Sequence, residues 1–93
     1  MNIKYTKHSL DQIKVRDLTK SIVKDIYYYP DFFCFDILEE NYVALKQIHY
    51  KDKIRFISVS FNHETNHDKI VTVKPEKKNN LLNKIKKGRW LKL

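Results

Sequence analysis

Ile54-Arg55-Phe56-Ile57-Ser58-Val59-Ser60-Phe61 is the stretch on which the fold turns. Ile57, Val59 and Phe61 share one face of an extended chain, and Ser58 and Ser60 share the other. A period of two marks a half-buried strand, because successive Cβ atoms leave opposite sides of the pleat. Helical spacing would scatter the same residues around a cylinder, so the segment reads as β.

Upstream of it, Lys51-Asp52-Lys53 is a turn and Tyr42–Tyr50 a partner strand. Phe32–Leu38 is a continuous apolar run suited to a buried strand, joined to its neighbour through Glu39-Glu40-Asn41. Downstream, a polar connection over Asn62–Asp68 leads to a last strand, Lys69–Lys74, and Pro75 is expected to end the sheet. Before Pro30 the period is 3.6. Thr6 or Ser9 caps a first helix that runs to about Arg16, and Ser9 with Gln12 has the form of a capping box. Thr19 caps a second helix through Tyr29, with Ile22, Val23 and Ile26 on one face, and Pro30 stops it by disfavouring helix at the preceding residue. Asn2–Tyr5 reads as a short lead-in strand. Beyond Pro75, Leu81, Leu82 and Ile85 form a short amphipathic helix stopped by Gly88, or else residues 84–92, with Trp90 embedded, form a basic arm. The expected fold is α+β in one domain, 1–93: two N-terminal helices (about 7–29) packed on a mainly antiparallel four-stranded sheet (about 32–75), then a basic C-terminal tail, 76–93.

The net charge of +8 favours a polyanionic partner, nucleic acid or an acidic protein. It is unevenly spread: residues 1–30 carry +3, residues 31–75 carry −1 and residues 76–93 carry +6. The single Cys34 excludes an internal disulfide, suits a reducing cytoplasm, and sits in the apolar run Phe32-Phe33-Cys34-Phe35 as a buried, inert thiol. No stretch approaches the roughly 18 apolar residues of a spanning helix, and the N-terminus lacks the plan of a secretory signal. A cytoplasmic protein with no membrane partner is expected. The aromatics Tyr27, Tyr28, Tyr42, Tyr50 and Trp90 offer stacking surfaces for bases, but in a chain this poor in Leu they read first as core.

One Gly rules out a Gly-rich phosphate loop. His63-Glu64-Thr65-Asn66-His67 matches the H-E-x-x-H pattern of zinc peptidases, which works only on a helix, where positions i and i+4 reach one metal. Here the pattern follows a strand and holds turn-forming Thr and Asn, so no metal site and no cofactor is expected.

His8, Gln12 and Arg16 recur at i, i+4, i+8, placing an imidazole, an amide and a guanidinium on one helical face. The segment His8–Thr19 resembles the N-terminal signature of a family of small bacterial and phage domains grouped with the RelE-like and barnase/EndoU/colicin-type toxin folds. His8, Ser9, Ile13, Arg16, Leu18 and Thr19 fit its pattern, and Gln12 stands where the family carries Arg. The strand Ile70-Val71-Thr72-Val73 resembles the family's close, so the likeness covers residues 3–75. It implies a toxin-like, metal-independent ribonuclease acting on RNA, free or ribosome-associated, and neutralised by an acidic antitoxin. Such cleavage needs an acid/base group and donors to the phosphate oxygens. His8 is the candidate acid/base, Arg16 the phosphate clamp and Thr72 a positioning donor. Arg55, Lys74 and His49 on the sheet, and Lys84, Lys87 and Arg89 in the tail, are the candidate nucleic-acid contacts. The alternative is a non-catalytic nucleic-acid- or protein-binding module of phage or mobile-element origin, held by the basic tail.

Overall fold

A computed structural model describes residues 2–93. Nine elements follow in order: β1 (Ile3–Tyr5), α1 (Lys7–Val15), α2 (Lys20–Tyr28), β2 (Phe32–Asp36), β3 (Asn41–Tyr50), β4 (Lys53–His63), β5 (Asp68–Glu76), α3 (Lys78–Lys86) and β6 (Trp90–Lys92). The α+β class stands, but the expected four-stranded sheet is corrected to six strands in the order β1-β5-β4-β3-β2-β6. The sheet is mixed: β1 runs parallel to β5, and every other pair is antiparallel.

The helices are set by local chemistry. Thr6, not Ser9, caps α1, its hydroxyl accepting the Ser9 amide at 3.0 Å, and Ser9 is buried with its own hydroxyl donated to the Thr6 carbonyl. The Ser9–Gln12 capping box does not form, because Gln12 reaches to β5 instead. At the other end, the Asp17 amide bonds the Lys14 carbonyl and the Leu18 amide bonds the Ile13 carbonyl. This is a Schellman stop, with Asp17 at φ 55° in the position usually held by Gly, and with Ile13 and Leu18 both buried. Thr19 caps α2 as the sequence indicates, its hydroxyl accepting the Ile22 amide.

Two cores lie on opposite faces of the sheet. Helices α1 and α2 cover one face, where Ile13, Val23, Ile26 and Tyr27 meet Ala44, Ile57, Val59, Phe61, Ile70 and Val73. On the other face α3 and β6 bury Leu81 and Trp90 against Cys34, Val43 and Leu45. The serine face of β4 is therefore not open, and Ser58 and Ser60 are buried.

Two further expectations change. Strand β5 continues through Pro75, paired opposite Ile57. Alternation points the Pro75 nitrogen to the same side as that of Val73, toward the outer edge that β1 covers only at residues 68–70, so no ladder bond is lost. The basic segment 84–92 is neither a free arm nor purely helical. After α3, Gly88 at φ 77° turns the chain, and Trp90–Lys92 adds to β2 as an edge strand. Among the described residues no helix is long and apolar enough to cross a membrane.

Candidate functional site

A recess of about 560 Å³ opens where the end of β5 meets α3. Its walls carry Arg55, Lys74, Lys77, Lys84, Lys87 and Arg89, with Asn80 and Asn83 between them. A second recess of about 350 Å³ continues from it along the sheet, sharing Arg55 and Lys77. The spacing of Lys77, Asn80, Lys84 and Lys87 is that of one helical stripe, and the start of α3 directs it onto the groove.

One acid faces these six cations. Glu76 is 5% exposed, and its carboxylate accepts from the Ser58 hydroxyl at 2.8 Å and from Lys84 at 3.4 Å and forms an ion pair with Lys74 at 3.7 Å. It organises two lysines and leaves the groove strongly positive. Lys84 also lies 4.4 Å from the centre of the Trp90 ring, which fixes its stem. Among the described residues Arg55, Lys77 and Lys87 form no ion pair.

Arg89 is held from below by Asp36. The buried Asp36 carboxylate accepts from Trp90 Nε1 at 2.9 Å and from Arg89 Nη2 at 3.5 Å, and its other oxygen accepts the Leu38 and Glu39 amides at 3.0 Å. Burial pushes this carboxyl upward, but the Glu39 amide, the Trp90 indole, the Arg89 charge and the Leu38 amide outweigh it and hold it below the usual carboxylate range. Arg89 Nε is buried with no acceptor among the described residues. A buried donor of this kind calls for a hydrogen-bond acceptor.

The structure thus brings together five of the six residues read as nucleic-acid contacts: Arg55, Lys74, Lys84, Lys87 and Arg89. The sixth, His49, is exposed on β3 two residues beyond Gln47, which lines the second recess. Lys77, Asn80, Asn83 and Glu76 were not singled out from the sequence. For Lys77 and Asn80 the signal was the i, i+3, i+7 recurrence that ends on Lys84, legible only once the helix start is known; Glu76 and Asn83 carried none.

The proposed catalytic trio is arranged differently. His8 is exposed on α1. Arg16 spends Nη1 on the Val73 carbonyl at 2.7 Å, and Gln12 accepts the Val73 amide at 2.7 Å. Thr72 sits across from Ser60 on the α3 side of the sheet, whereas its neighbour Val73 packs beneath the first two helices. Among the described residues no hydrogen bond or ion pair joins His8, Arg16 and Thr72 to one another.

The His63–His67 segment spans the end of β4 and the turn before β5, where the Glu64 amide bonds the His67 carbonyl. His63 Nδ1 contacts Asp68 Oδ1 at 2.7 Å, and the Tyr27 hydroxyl donates to the other oxygen of this buried carboxylate. Burial, with the bond to Asp68, holds the Tyr27 phenol well above its ordinary range. Among the described residues no three His, Cys, Asp or Glu side chains cluster as metal ligands. Cys34 is buried, and burial raises its thiol, as befits an unreactive core residue. Of the aromatics, Tyr27, Tyr50 and Trp90 are core, while Tyr28 and Tyr42 are exposed.

No protein-family model, curated protein or solved structure matches the chain.

Proposed function

We propose that this protein binds RNA by its backbone along the groove between β5 and α3, as a non-catalytic module. The observation that carries the reading is the convergence of six cations on one recess whose single acid is already occupied. Affinity for phosphate chains grows by release of condensed counterions, so an unpaired basic groove is sufficient for binding. No aromatic lines the larger recess, so the contacts are to phosphate and sugar rather than to stacked bases. The setting is a reducing cytoplasm, on the strength of the lone buried thiol.

The test is anisotropy of a labelled oligouridine against salt. Three unpaired cations and Arg89 give about four phosphate contacts, and hence a slope of log K against log salt near −3. A salt-independent affinity, or none, would overturn the reading.

A second reading is RelE-type cleavage of the same RNA, opposed by an acidic antitoxin segment that would compete for the same lysines. It rests on the His8–Thr19 resemblance and on the exposed imidazole of His8. Cyclic-phosphate products that vanish in His8→Ala would establish it; binding without turnover leaves the module.

A further inference from the structure

The opposite end of the sheet has the opposite electrostatic character. A recess of about 470 Å³ opens between the β2–β3 turn and the end of β4, lined by Glu39, Glu40, Asn41, Tyr42, His63 and Glu64 among others. Three of the eleven acidic residues of a +8 chain gather here. Glu39 and Glu40 are exposed and form no ion pair among the described residues; Glu64 touches Lys69 at 3.3 Å.

A cluster of acids alone is an ordinary solvated surface, but a second observation points to a ligand. Asn41 is 8% exposed, and its side-chain Oδ1 is buried with no donor among the described residues. A buried acceptor left unpaired costs free energy that a donor at this place would recover. The unpaired carboxylates of Glu39 and Glu40 and the orphan Asn41 Oδ1 at this recess are all acceptors.

Beside it lies an apolar recess of about 370 Å³, formed by Phe33, Tyr42, Phe61, His63 and Leu93 and sharing Tyr42 and His63 with the first. The Tyr42 and Phe61 rings stack at 5.7 Å, and Phe35 meets Tyr42 edge-on at 5.2 Å. The rim is held in place: Asp36 binds the amides of the turn that carries Glu39, and Asp68 holds His63 by its Nδ1.

We propose that this double recess binds an arginine or lysine side chain of a partner polypeptide. An aliphatic stem with a cationic, donor-only head matches an apolar aromatic wall that opens onto carboxylates and an orphan carbonyl. The ring faces add a cation–π attraction that a neutral side chain would not feel. The site lies at the far end of β4 from Arg55 and is independent of the RNA groove.

The experiment is an amide-resolved NMR titration with acetyl-Gly-Arg-Gly-amide, and with acetyl-Gly-Glu-Gly-amide as its counterpart. Saturable shifts confined to residues 39–42 and 62–64, given by the Arg peptide alone, are expected. The exposed double variant Glu39→Gln/Glu40→Gln should weaken the Arg peptide at least tenfold, while its spectrum elsewhere and its RNA affinity stay unchanged. Equal binding of both peptides, equal affinity in the double variant, or shifts that never saturate would overturn the proposal.

Discussion

Arg16 reaches from the end of α1 to donate to the Val73 carbonyl at 2.7 Å. Gln12, one turn earlier, accepts the Val73 amide at the same distance. Together they act as the missing strand. Beyond Ile70, β1 no longer covers the outer edge of β5, and two side chains of α1 satisfy the backbone groups that a neighbouring strand would otherwise bond. Thr6 completes the seam, its amide bonding the Ile70 carbonyl and its hydroxyl the Val71 carbonyl.

Removing Arg16 should therefore cost stability. Hydrogen bonds from a charged donor contribute about 1.5–3 kcal/mol, so Arg16→Ala should lose about 2 kcal/mol in equilibrium urea unfolding. RNA affinity, seated in the groove beyond β5, should stay within twofold. A stable Arg16→Ala protein that no longer binds RNA would return Arg16 to the phosphate-clamp role.

The β3–β4 hairpin carries a correctable strain. Lys51 and Asp52 both have positive φ, 48° and 63°, the arrangement of a type I′ turn. Asn-Gly fits that turn better, since non-glycine residues are disfavoured there by roughly 1–2 kcal/mol each. The Lys51→Asn/Asp52→Gly double variant should gain about 1 kcal/mol after the greater freedom of Gly in the unfolded chain is counted, read as a higher melting temperature.

Charge reversal in the groove should act on binding alone. Lys77 and Lys87 are exposed at the two caps of α3 and line the recess. Lys77→Glu/Lys87→Glu should cut RNA affinity more than tenfold at low salt and flatten the salt slope by about 1.4, two contacts at roughly 0.7 each. An unchanged thermal unfolding midpoint would separate this loss from misfolding.

Asp36 should govern part of the acid sensitivity. Its folded carboxyl is held below the usual range, so its stabilisation is fully present above the unfolded value near 3.9 and is lost as pH falls through the folded value. Asp36→Asn should be about 2 kcal/mol less stable at neutral pH and should lose less on acidification from about pH 4 to pH 2. Because Asp36 also holds Trp90 and Arg89, the same variant should lower RNA affinity, whereas Arg89→Ala should do so with only part of the change in acid response, since the two amides and the Trp90 indole still hold the carboxyl low.

Local pattern carried much of this protein. The alternation of Ile57, Val59 and Phe61, the cap at Thr19, and Pro30 as a helix stop all act within a few residues, where sterics and hydrogen-bond chemistry leave one outcome, whereas at α1 they left Thr6 and Ser9 both open as caps. The concentration of basic residues after Glu76 likewise held four of the groove's six cations before any geometry was known, with Arg55 and Lys74 coming from the sheet.

What was not legible depended on partners distant in sequence. Ser58 and Ser60 look solvent-facing until α3 closes over them, and Pro75 looks like a terminator until the open edge of β5 removes the need for its amide. Trp90–Lys92 has too little local signal to announce a strand and becomes one only because β2 offers a free edge. The polar face of α1 is the sharpest case. Spacing alone put His8, Gln12 and Arg16 together, but whether that face meets solvent, phosphate or backbone was decided by where β1 stops beside β5. A helix specifies which side chains travel together; only the tertiary contact specifies what they meet.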